Sequence, residues 1–92
     1  MRVKVPTSAG NKAIKTGELP KVIGNFLETH KPEAAYFTAE AGERTAFFVV
    51  DVKEASQMPP MFEPLFMELD AHIDIIPVMS AGDLQAGLAA LK

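Results

Sequence analysis

The chain of 92 residues has no cysteine, no tryptophan and a single tyrosine. Without cysteine there is no disulfide, no thiolate metal site and no cysteine nucleophile, which sets the chain apart from small secreted scaffolds stapled by disulfides. A cytoplasmic location is the expectation. No apolar run approaches the ~20 residues of a membrane span, and Met1-Arg2-Val3-Lys4-Val5-Pro6 lacks the apolar segment of a signal peptide. A soluble protein with no membrane partner is therefore expected. Basic residues are few: nine Lys and Arg against twelve Asp and Glu give a net charge of -3. They are scattered from Arg2 to Lys92 with no basic stripe and no interleaved aromatics, so a nucleic-acid partner is disfavoured.

What the chain does have is apolar content, at 48% of its residues. That is too much for disorder and enough for one small core, so a single domain over 1–92 is expected. No internal repeat or low-complexity segment interrupts it. Met1 to Pro6 alternates as a short strand ended by proline. Thr7 to Gly17, with Gly10, Asn11 and Gly17, reads as a loop containing at most a turn of helix at Asn11 to Lys15. Leu19, Val22, Ile23, Phe26 and Leu27 recur on one helical face, and Lys31-Pro32 ends that helix.

Glu33 to Glu40 reads as a second strand, joined through Ala41-Gly42-Glu43 to a third strand over Arg44 to Val52 in a short hairpin. Ser56 then fits an N-cap for a helix to about Asp70, with Pro59 and Pro60 near its start and Pro64 expected to kink or restart it. His72 to Met79 reads as a fourth strand. Ser80-Ala81-Gly82-Asp83 resembles a capping box opening a terminal helix through Leu84, Leu88 and Leu91.

The order β-α-β-β-α-β with a tail helix predicts an α+β ferredoxin-like sandwich, its third and fourth strands flanking the first and its helices on one side of the sheet. The third strand carries the main consequence. Ala46, Phe48, Val50 and Val52 share one face and Thr45, Phe47, Val49 and Asp51 the other, because strand side chains alternate. The first set is expected to meet the helices. Burying a Phe or Val is worth about 1.5–3 kcal/mol against a total stability of about 5–15 kcal/mol, so Phe47 and Val49 call for a cover from outside. A homodimer through the open sheet face supplies one.

Particular runs carry a resemblance. Pro6-Thr7-Ser8-Ala9-Gly10-Asn11, Lys31-Pro32-Glu33-Ala34-Ala35-Tyr36-Phe37, Ala55-Ser56-Gln57, Glu63-Pro64-Leu65-Phe66 and Pro77-Val78-Met79 resemble small uncharacterised bacterial proteins of the dimeric α+β barrel superfamily. The likeness covers most of the chain. It implies two ferredoxin-like subunits packed sheet against sheet around an enclosed space, which superfamily members use for different purposes. Those members include cofactor-independent oxygenases, muconolactone isomerases, haem-dependent chlorite dismutases and ligand-sensing domains. None of their catalytic sets matches this chain residue by residue, and tryptophan-assisted schemes do not transfer.

On the open face the alternation places Lys4, Tyr36, Thr38, Thr45, Phe47, Val49, Asp51, His72, Asp74, Ile76 and Val78, with Ile73, Ile75, Pro77 and Met79 turned to the helices. Mostly apolar walls with a few polar groups suit a small partly apolar metabolite, and Lys4, Tyr36, Phe47, Val49, Asp51 and His72 are its candidate ligand-binding residues. His72, Asp74 and Tyr36 are the catalytic candidates. A histidine oriented by an aspartate two residues away can act as a general base; the competing reading is a solvent-exposed end of an edge strand. Tyr36 can donate to a ligand or cap a dimer interface with its hydroxyl wet, and Lys4 with Asp51 can be a sheet-stabilising pair.

Met58, Met61 and Met67 with Phe62 and Phe66 make an adaptable helix whose first use is core packing and whose second is lining a permissive ligand site. Glu63 is a candidate buried acid or a solvated charge. No metal is expected, since His30 and His72 lie far apart without ligand spacing, and no cofactor is implied. The resulting expectation is a dimer that binds a metabolite; the alternative is a cofactor-independent isomerase or monooxygenase using acid-base residues on the open face.

Overall fold

A computed structural model, describing residues 1–91, has a four-stranded antiparallel sheet in the order β2-β3-β1-β4. Its strands are β1 (Arg2–Val5), β2 (Ala34–Glu40), β3 (Glu43–Val49) and β4 (His72–Asp74), and its helices α1 (Thr7–Thr16), α2 (Glu18–His30), α3 (Met58–Leu69) and α4 (Ala81–Ala89). Among the described residues no helix is long and apolar enough to cross a membrane.

The hairpin between β2 and β3 is set by its turn. Ala41 (φ 52°) and Gly42 (φ 80°) both take positive φ, the conformation whose twist matches that of paired strands. Val3, Val5, Ala46 and Phe48 turn to one side of the sheet and are buried. Against them pack Ala13 of α1, Val22 and Phe26 of α2, and Met61, Leu65 and Leu69 of α3. In α3 the last three recur every four residues, which puts them on one stripe. Phe48 is the keystone, with ring centroids 4.5 Å from Phe26 and 5.8 Å from Phe37.

Four sequence expectations are corrected. Thr7 to Thr16 is a full helix, because Gly10 is there for closeness and not for looseness: a Cβ on it would lie 2.7 Å from Arg44 Nη1 and 3.4 Å from Val5 Cγ1. Arg44 then donates from Nη2 to Asn11 Oδ1 at 3.2 Å, which latches the hairpin to α1. Second, Ser56 is not the N-cap of the fourth segment. It sits inside a 3-10 turn (Ala55–Gln57), where Gln57 Oε1 accepts from the backbone N–H groups of Lys53 and Glu54 at 2.8 and 2.9 Å. Pro64 stays within α3.

Third, β3 stops at Val49, opposite Ala34 where β2 begins; Val50 is partly buried, while Asp51 and Val52 lie in an exposed loop. Fourth, β4 is three residues long instead of eight. Asp74 pairs with Arg2, the first residue of β1, so Ile75 onward has no strand to join. Ile73 packs on the core, but Ile75, Pro77 and Met79, expected to be buried under the helices, are exposed. Beyond them Ser80 caps α4 as expected, accepting from the Asp83 N–H while Asp83 Oδ2 accepts from the Ser80 N–H.

Candidate functional site

The sheet face opposite the helices is a grid fixed by register. Tyr36, Phe47, Arg2 and Asp74 form one row, and Thr38, Thr45, Lys4 and His72 the next. No helix covers either row. Tyr36 is 69% exposed and Phe47 36%, His72 and Asp74 are exposed, and Lys4 and Val49 are half-buried.

The charges of this face are tied to one another. Arg2 donates to Asp74 Oδ2 from Nη2 at 2.6 Å and from Nε at 3.1 Å, and its Nη1 lies 3.5 Å from Glu40 Oε1. The same Glu40 oxygen is 3.1 Å from Lys4 Nζ. Asp74, Arg2, Glu40 and Lys4 thus make one chain of alternating sign. The hydrogen bond and charge of Asp74, and more weakly the charge of Glu40, raise the Arg2 guanidinium above its ordinary pKa. Thr45 lies in register between Thr38 and Lys4, spanned by the Glu40–Lys4 bridge, and is buried although no helix covers it. Its hydroxyl donates to the Glu43 carbonyl at 3.0 Å.

This network rearranges two pairings expected from the sequence. Lys4 is matched by Glu40, not Asp51. Asp74 gives its Oδ2 to Arg2, so the expected His72–Asp74 dyad is replaced by an Arg2–Asp74 pair, and His72 stands at an exposed strand start beside Lys4. Glu40 is the residue that sequence reasoning missed. The signal for it was the hairpin register, which places it diagonally from Lys4 across β3.

Val49 and Asp51 belong to a second feature, a cleft of about 380 Å³ at the end of the sheet where the 75–78 segment crosses it. Its walls are apolar, from Phe48, Val50, Val52, Met58, Met61, Ile75, Ile76 and Val78, and Asp51 is the one carboxylate among its lining residues. Of the soft methionines, Met58 and Met61 line this cleft while Met67 lies exposed elsewhere on α3. Glu63 is exposed and is a solvated charge. His30 stacks on Phe26 with centroids 4.9 Å apart, a packing role. Among the described residues no group of three or more His, Asp or Glu side chains is placed to hold a metal ion.

No family model, curated protein or solved structure matches the chain.

Proposed function

We propose that this chain is a ferredoxin-like subunit of a dimeric α+β barrel that binds a small, partly apolar metabolite. The observation that carries the binding reading is the cleft at the sheet end: apolar walls, three methionines (Met1, Met58 and Met61) and a single carboxylate, Asp51, with the Met1 ammonium held by the Phe48 carbonyl. Such a lining suits a ligand with an apolar body and one hydrogen-bond-donating or cationic end, which Asp51 would orient. Binding without turnover is favoured over catalysis because Asp74 is engaged by Arg2 and leaves His72 without an orienting carboxylate.

Pairing through the open face is supported by Tyr36, Phe47 and Val49, a contiguous apolar group that no helix covers. The neighbouring charges already neutralise each other, so a second copy could cover them without stranding a lone charge.

Thermal-shift screening of a metabolite panel tests the binding reading. A ligand at about one hundred times its Kd stabilises by about 2.7 kcal/mol, and the shift should vanish in Ile76→Asp and shrink in Asp51→Asn. A metabolite that is chemically transformed, with the turnover lost in His72→Ala, would instead establish the enzyme.

A further inference from the structure

We propose that the carboxyl-terminal arm, residues 75–91, docks on a second copy of this chain, with α4 lying in the apolar groove between β2 and the α1–α2 pair. The arm is built to be covered. Every residue from Asp74 to Leu91 is exposed, and α4 buries none of its own side chains. Leu84 and Leu88 nevertheless recur one turn apart along α4, and Leu91 follows just past its end, all three exposed. The capping box at Ser80 and Asp83 holds the helix without help from the core.

The exposed area points to a second copy as the occupant. A compact monomer of 9.9 kDa is expected to expose about 5,200 Å², whereas this chain exposes 6444 Å². The excess, about 1,200 Å², exceeds the ~800 Å² that each partner contributes to a standard stable interface. The radius of gyration agrees: 15.4 Å against about 12 Å for a compact chain of this length. Extents of 56 × 28 × 17 Å describe a small body with a projecting limb.

The groove supplies a matching surface. It measures about 280 Å³ and is lined by Ile14, Leu19, Ile23 and Phe37 with Val3 and Val5 at its floor. Ile14 and Phe37 are about half exposed, and no residue of the chain's own arm lines it. A short amphipathic helix laid in an apolar groove, with anchors one turn apart, is a recurrent mode of recognition. Reciprocal exchange gives a closed twofold pair. This contact goes beyond the sheet-to-sheet pairing and uses a different face.

The natural absence of cysteine makes the test clean. Leu88→Cys carrying a mass tag and untagged Ile14→Cys are purified separately, mixed and oxidised; both sites are exposed, so neither change should disturb folding. A tagged–untagged disulfide dimer is expected as the main product, and again when both partners carry Phe47→Asp, which removes the sheet pairing alone. The inference is overturned by mixtures that give no mixed disulfide, or by a Leu88→Cys, Ile14→Cys double variant that closes within one chain. Loss of the mixed disulfide only in the Phe47→Asp background would also overturn it as an independent contact, while leaving the sheet pairing standing.

Discussion

Phe47 and Phe48 are neighbours that the strand sends to opposite worlds, and their contrast gives the most demanding test of sheet pairing. If two copies cover each other's open faces, unfolding is coupled to dissociation and the melting temperature must rise with concentration. Its size follows from chain length. At about 0.7 kcal/mol per residue near 60 °C, two chains of 92 residues unfold with an enthalpy of about 130 kcal/mol, so a roughly hundredfold rise in concentration lifts Tm by about 8 °C. Phe47→Asp puts a charge in the centre of the covered face while leaving the subunit core untouched, since Phe47 makes no part of it. Its Tm should be lower at high concentration, and flat with dilution once Leu84→Asp and Leu88→Asp also remove the arm contact. Circular dichroism melts across the dilution series read both quantities. A wild-type Tm that does not move with concentration refutes the pairing, and, with the arm contact removed by Leu84→Asp and Leu88→Asp, a Phe47→Asp variant that retains the slope refutes the assignment of this face.

Three further outcomes are expected. Phe48→Ala, which removes a fully buried ring packed against Phe26 and edge-to-face with Phe37, should cost about 3–5 kcal/mol, lowering Tm equally at every concentration; chemical denaturation gives the figure. Ala41→Asn should stabilise by about 0.5–1 kcal/mol, because Ala41 holds φ 52°, a conformation asparagine tolerates far better than alanine; its urea midpoint should rise. Pro64→Ala should also stabilise, by about 1 kcal/mol or more, by restoring the helical N–H that proline lacks inside α3, and a lower midpoint would mean that the proline shapes a packing angle the core needs.

How far the sequence discloses this molecule depends on the range of the interactions involved. The β2–β3 hairpin and α2 are local, written in a glycine turn and a stripe of five apolar residues, and both form where they were read, although β3 ends at Val49 and not at Val52. α1 is not local in this sense. Its buried positions are Gly10 and Ala13, small residues whose value lies in letting Arg44 and Val5 approach, and a glycine read alone suggests a loop. The short β4 likewise depends on where β1 starts, seventy-two positions earlier in the pairing of Arg2 with Asp74. At the candidate site, the exposure of Phe47 and Tyr36 follows from simple alternation. The choice of partners for Lys4 and Asp74 does not, since it is made by Glu40 and Arg2 reaching across strands.

The latch between Arg44 and α1 has a dynamic consequence. Because the Arg44 guanidinium lies against Gly10 and donates to Asn11, the tip of the hairpin cannot lift without disturbing the middle of the first helix. The two segments should therefore open as one cooperative unit. In native-state hydrogen exchange the amides around Glu43 and Arg44 and those of α1 should share a single opening free energy, and Arg44→Ala should divide that unit in two.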